Sequence, residues 1–359
     1  MPAANANRQP TQSRAKQRRL SRNFERQLAD YRDIATRDLL DSIPKKGPPY
    51  LYELASAYPR RQGKGLRAAL CFATCTALGG SRRQAQNSAV AIELLHNAFL
   101  IHDDVQDGSE FRRGLPTLYK QHGIPIAVNV GNATNLLALR RLMENRGILG
   151  PKVSWQVMEE TEHMMTHSLE GQAIELAWIR DNRCDLEVRD YMQMCLKKTS
   201  WYSFIYPMRV GALVARSGQL GPDQFCRLGW YFGAAFQIQD DILNLSADYQ
   251  KYGKEIAGDL WEGKRTLMLI HSLKHSGARE KSRLQRFLAR PRHDRTAAEV
   301  EWVHQVILRN KSIDYARRAA RQLAGAALLE GLAALRGVPD SEEKRFILEM
   351  ILYVVNRDR

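Results

Sequence analysis

An all-α fold, one large bundle of about ten or more helices, is predicted for this chain by three observations. Apolar residues recur at three- and four-residue spacing from Leu20 onward. Strand-like alternation is scarce, and no internal repeat divides the chain. Apolar residues make up 44% of the 359, enough to fill a sizeable core.

Residues 1–20 are rich in Ala, Asn, Gln, Pro and Arg and carry no apolar stripe, so a disordered basic tail is expected there. Residues 21–359 are expected to form the helical domain. Phe24, Leu28, Tyr31, Ile34, Leu39 and Leu40 mark a first amphipathic face, and Pro44, Gly47, Pro48 and Pro49 break it. A helix over 67–78 is stopped by Gly79 and Gly80. Residues 84–107 are nearly uniformly apolar, which predicts a buried helix. The break at 123–125 precedes helices over 126–146, 153–176, 186–215 and 222–245. The last third holds helices near 267–275, 297–308, 313–335 and 341–356.

Charge and cysteines narrow the class. Lys and Arg number 54 against 39 Asp and Glu, a net charge of +15. Such an excess suits anionic substrates, nucleic acid or an acidic membrane surface, and composition does not choose among them. No apolar run approaches the length of a membrane span. The Arg-rich start lacks the apolar segment of a secretory signal. Cys71, Cys75, Cys184, Cys195 and Cys226 form no metal-binding spacing. A cytoplasmic protein with reduced cysteines is expected.

Two acidic clusters carry the chemistry. Asp103, Asp104 and Asp107 close the most apolar helix, and residues four apart share a face. Asp240, Asp241 and Asn244 close a second apolar helix downstream. Carboxylates at the negative end of a buried helix repel one another and the helix dipole. A hard divalent cation such as Mg²⁺ relieves that repulsion and keeps coordination positions for water and phosphate oxygens. Arg112 and Arg113 follow the first cluster, Lys254, Lys264 and Arg265 follow the second, and Lys64 and Arg67 lie upstream. Carboxylates and cations in this alternation suit a diphosphate. No nucleophile-and-base pattern stands out. A nucleic-acid binder would account for the charge but not for buried acids, so no nucleic acid is expected.

These motifs resemble, in order and spacing, the trans-isoprenyl diphosphate synthase (polyprenyl synthetase) family. Asp103-Asp104-x-x-Asp107 with Arg112-Arg113-Gly114 is similar to the family's first aspartate-rich motif, and Phe236-Gln237-x-x-Asp240-Asp241 to its second. Gly171-Gln172, Lys198-Thr199 and Gly258-Asp259-Leu260-x-Glu262-Gly263-Lys264 fall in the family's order. The resemblance implies an isoprenoid-synthase bundle around a central cavity. It implies about three Mg²⁺ per site, held by Asp103, Asp104, Asp107, Asp240, Asp241 and Asn244. Arg112, Lys198, Lys254 and Lys264 would contact an allylic diphosphate. Lys64, Arg67, His96 and Arg113 would hold isopentenyl diphosphate. Thr199 and Gln237 would line the region where the carbocation forms.

The resemblance further implies a homodimer, with weak membrane-surface contact during product release. Asn244 and Ala98 make the chain similar to geranylgeranyl diphosphate synthases, the product length expected here. Ala98 and Phe99, one turn before the first cluster, are expected where the growing chain passes. Asn132, Glu175, Gly65 and Ala68 depart from common family residues. Farnesyl or longer products, a terpene cyclase on the same scaffold and a non-catalytic subunit of a heteromeric synthase remain as alternatives.

Overall fold

The computed structural model describes residues 9–215, 221–246 and 257–356. The helices in chain order are α1 (Gln9–Ser42), α2 (Tyr52–Ala55), α3 (Ala57–Arg60), α4 (Leu66–Ala77) and α5 (Arg82–Asp107). A two-residue hairpin pairs Phe111–Arg112 with Leu115–Pro116. Then come α6 (Leu118–His122), α7 (Ile124–Glu144), α8 (Arg146–Arg180), α9 (Val188–Cys195), a ten-residue π-helix (Leu196–Ile205) and α10 (Tyr206–Ala215). The remainder is α11 (Phe225–Ser246), α12 (Gly258–Glu262), α13 (Leu267–His275), α14 (Ala278–Leu288), α15 (Ala297–Arg309), α16 (Ser312–Ala334) and α17 (Glu342–Asn356).

The predicted all-α bundle is therefore observed, and its differences from the sequence reading have local causes. The backbone of α1 begins inside the stretch read as a tail, where Ala, Gln, Lys and Arg are good helix formers without an apolar face. The single helix expected over 186–215 is interrupted by the π-helix. Helix α14 went unread because its sequence is mostly polar, with only Leu284, Phe287 and Leu288 buried.

Helix α5 is the central rod. Its start is fixed by a capping box, in which Gln84 N–H donates to Ser81 Oγ and Ser81 N–H donates to Gln84 Oε1 at 2.8 Å. Its end is fixed by Gly108, whose φ of 66° stops the helix immediately after Asp107. Helix α5 packs along α7 and α4, and α11 packs along α16 and the π-helix. One core cluster joins α1, α4, α5, α7, α10 and α17. A second joins α9, the end of α11 and α13–α16. All five cysteines are unpaired, and Cys71, Cys75 and Cys195 are buried. Among the described residues no helix is long and apolar enough to cross a membrane.

Candidate active site

A cavity of about 1130 Å³ lies between α5, α8, the π-helix and α11, larger than the usual small-molecule pocket. Asp103 and Asp107 enter it from the end of α5, and Asp240 enters it from the end of α11. Lys64, Arg67, His96, Arg112, Arg113, Lys198, Thr199, Gln237 and Lys264 also line it. Residues from α1, α4, α5, the hairpin, the π-helix, α11 and the segment after α12 thus meet at one place.

Three expected metal ligands stand elsewhere. Adjacent residues on a helix diverge by about 100°, so Asp104 and Asp241 face away from their cavity-lining neighbours. Asp104 is buried, accepts from Tyr58 Oη at 2.5 Å and from Arg112 Nε at 2.9 Å, and takes a second, closer contact from the same guanidinium. Asp241 accepts from Tyr191 Oη and from Gln237 Nε2, each at 2.7 Å. Asn244 Oδ1 accepts from the Asp259 backbone N–H at 3.1 Å. Arg112 touches the cavity, yet its guanidinium is bound to Asp104. Lys254 lies outside the described residues.

The cations are held by acids. Lys264 Nζ donates to Asp107 Oδ2 at 2.7 Å and is also 2.7 Å from Glu262 Oε2. Lys198 Nζ contacts Glu175 Oε2. Burial alone would push the Lys198 ammonium down, but Glu175, Asp103 and Asp107 together outweigh it and keep the group charged. Burial would likewise raise Asp107, and Lys264 and Lys198 hold it below the ordinary carboxylate value. Asp103 goes the other way: burial, reinforced by Asp107 and opposed by Lys198, moves it to about 6. Asp241 is pushed by burial to about 7.

A second basic group lines the α4 side. Arg67 donates through Nη2 to Tyr202 Oη at 2.6 Å and Ser203 Oγ at 2.8 Å, and through Nη1 to His96 Nε2 at 3.3 Å. A guanidinium only donates, so His96 Nε2 accepts and the ring proton of the neutral imidazole sits on Nδ1. Arg113 Nη1 donates to the Tyr58 carbonyl at 2.8 Å, and burial lowers its guanidinium to about 10.

The site fits a hard divalent cation. Asp107 Oδ1 is buried without a hydrogen-bond partner, a carboxylate oxygen left with lone pairs to give. Asp103, Asp107 and Asp240 offer only oxygen donors. Among the described residues no three Asp, Glu, His or Cys side chains close on one metal-sized point. A cation that takes most of its ligands from water and phosphate needs no such closure.

The sequence did not reveal Tyr58, Tyr191 and Tyr202, which anchor Asp104, Asp241 and Arg67. Their partners lie 46, 50 and 135 positions away, beyond any local pattern. The π-helix was also missed, and its visible traces are glycines packed against it: Gly229 and Gly233 on α11 and, most tightly, Gly171 on α8. A Cβ there would stand 2.2 Å from Lys198 N, so only glycine lets α8 approach that backbone.

Comparison with known proteins agrees with this fold. The polyprenyl synthetase family model matches residues 48–307. A geranylgeranyl diphosphate synthase of Sulfolobus acidocaldarius is 30% identical over 286 residues, 79% of this chain and 84% of its own length. A geranylfarnesyl diphosphate synthase of Aeropyrum pernix is 30% identical over 305 residues, 82% of this chain and 90% of its own length. The crystal structure of a polyprenyl synthase from Caulobacter crescentus, in complex with calcium and isoprenyl diphosphate, superposes with a TM-score of 0.82 at 26% identity, covering 95% of this chain and 98% of that one. By the matched length and the shared fold, the chain belongs to the polyprenyl synthetase family of prenyl-transferring enzymes.

Proposed function

We propose that the chain condenses isopentenyl diphosphate with an allylic diphosphate and releases geranylgeranyl diphosphate. The observation that carries this reading is the meeting of Asp103 and Asp107 from α5 with Asp240 from α11 on one cavity that Lys198 and Lys264 also enter. Members of the family use a divalent metal. In this chain Asp103, Asp107 and Asp240 hold Mg²⁺, about three ions per site. Bound there, the ions supply charge neutralisation for the departing diphosphate.

The chain's own residues do the rest. Lys198 and Lys264 bind the allylic diphosphate and stabilise the negative charge that grows as it leaves. Lys64, Arg67, His96 and Arg113 hold isopentenyl diphosphate on the opposite wall. Thr199 and Gln237 face the allylic cation with oxygen lone pairs. The double bond of the second substrate attacks that cation, and the released diphosphate takes the final proton. The clustering of Arg67 and His96 with Tyr202 and Ser203 supports condensation over terpene cyclisation, because a cyclase has no second diphosphate to hold. The retention of carboxylates on both helices argues against a non-catalytic subunit.

Phe99 lines the cavity and packs edge-on against Tyr202 at 5.5 Å, which makes it the residue that bounds the growing chain. The relatives' names span more than one product length, so the geranylgeranyl assignment rests on this wall. Exposed Leu136 and Met143 on α7 and Trp155 and Leu169 on α8 support a homodimer. We assign the protein to the cytoplasm, with weak membrane contact at product release, and treat residues 1–20 as dispensable for chemistry. The test is incubation of the purified protein with Mg²⁺, isopentenyl diphosphate and each short allylic diphosphate, followed by mass spectrometry. A C20 diphosphate that disappears in excess EDTA is expected. No elongated product from any allylic substrate would refute the reading.

A further inference from the structure

Four side chains form a hydrogen-bonded line from the buried interior to the cavity wall. Tyr191, on α9 and fully buried, donates from its hydroxyl to Asp241 Oδ2 at 2.7 Å. Asp241 Oδ1 accepts from Gln237 Nε2 at 2.7 Å. Gln237 Oε1 accepts from the Thr199 hydroxyl at 2.6 Å. Thr199 and Gln237 line the cavity, whereas Tyr191 and Asp241 do not.

The donors and acceptors fix the direction of the whole line. Asp241 accepts from Tyr191 on Oδ2 and from the Gln237 amide nitrogen on Oδ1, so the amide oxygen of Gln237 faces Thr199. The Thr199 hydroxyl has one hydrogen, and Gln237 takes it. What Thr199 then presents to the cavity is oxygen lone pairs rather than a proton. Neither i,i+4 geometry on α11 nor the π-helix alone would settle which way the threonine hydroxyl turns.

We infer that Tyr191 and Asp241 are positioning residues which, through Gln237, hold Thr199 Oγ1 with its lone pairs toward the reacting carbon. The inference rests on the proposed condensation. It gives Asp241 a different task from that of Asp240, although the two are neighbours in sequence. Tyr191 serves the reaction without touching substrate.

The test is a double-mutant cycle in the full-length protein with Mg²⁺ and both diphosphates, with Tm recorded for each variant. Tyr191→Phe removes one oxygen and is expected to lower kcat about tenfold or more, while KM for each substrate stays within about twofold. Thr199→Ser keeps the hydroxyl and is expected to retain most of the rate, whereas Thr199→Val loses it. On the Thr199→Val background, Tyr191→Phe is expected to cost less than about twofold further. An equal loss on both backgrounds, or an unchanged kcat in Tyr191→Phe, would overturn the inference. A rise in the Mg²⁺ concentration for half-maximal rate in Asp241→Asn would assign Asp241 to the metal and overturn it equally. If Tyr191→Phe does not fold, Gln237→Met breaks the line at its cavity end and takes its place in the cycle. Absence of prenyl transfer by the unaltered protein would overturn the function beneath the inference; an additive cycle in an active enzyme would overturn the inference alone.

Discussion

Lys264 Nζ lies 2.7 Å from Asp107 Oδ2, joining two residues 157 positions apart in a buried ion pair at the cavity. The pair ties the segment after α12 to the end of α5. It also keeps Asp107 ionised where burial would otherwise protonate it.

Removing Lys264 strands that carboxylate. Breaking one partner of a buried pair costs about 3–5 kcal/mol, so Lys264→Ala should lower the metal-free Tm by many degrees. It should cut kcat/KM by about 10²-fold or more. Lys264→Arg should recover stability better than rate, because a guanidinium replaces the charge but not the shape of the ammonium. Thermal melts beside steady-state kinetics check both statements.

The pH dependence turns on Asp103. Its folded value of about 6 stands above its ordinary 3.8, so the fold disfavours its charged form. The stability associated with this group is complete below 3.8 and is lost as pH rises through about 6. Asp103→Asn should therefore be more stable than the unaltered protein at pH 8 without metal, by about 3 kcal/mol, and the two should converge only below the ordinary value of 3.8. Mg²⁺ binds only the carboxylate, so the Tm gain from Mg²⁺ should shrink as pH falls below about 6. An equal Tm gain at pH 5 and pH 8 would remove Asp103 from the metal site.

Product length should respond to Phe99 and not to its neighbour. Phe99→Ala opens the cavity wall and should shift the product by one or more isoprene units, read by mass spectrometry. The sequence places Ala98 on that wall as well, but it is fully buried and does not reach the cavity. Ala98→Phe should overpack the core and cost about 1–3 kcal/mol, with product length unchanged in whatever protein folds. A shorter product from Ala98→Phe would restore the sequence expectation.

Gly171→Ala should be severe for its size. The new methyl would meet Lys198 N at 2.2 Å and Lys198 Cα at 2.6 Å, backbone atoms that have no rotamer to escape into. A lower Tm and a rate loss larger than that of Gly147→Ala, where a Cβ meets nothing within 4 Å, would confirm the close approach.

Much of this site was legible because its spacing is local. Asp103 and Asp107 are four apart at the end of an apolar helix, and such a pattern needs no partner to be read. Which acid of each adjacent pair faces the cavity was not legible. That choice is made by Tyr58 and Tyr191, whose contacts exist only after the chain has folded. The cation and acid pairs, Lys198 with Glu175 and Lys264 with Asp107, are likewise tertiary. The π-helix mixes polar Lys197, Lys198, Thr199, Ser200 and Ser203 with apolar residues, which reads in the sequence as an ordinary amphipathic α-helix.

That π-helix sets a limit on how the gene can change length. Deleting one residue from Leu196–Ile205 would let the segment relax toward ordinary α winding and would shift α9 out of its register relative to α10. Tyr191 would leave Asp241, and Lys198 would leave Glu175. Insertions and deletions should therefore be purged from the ten residues that follow α9.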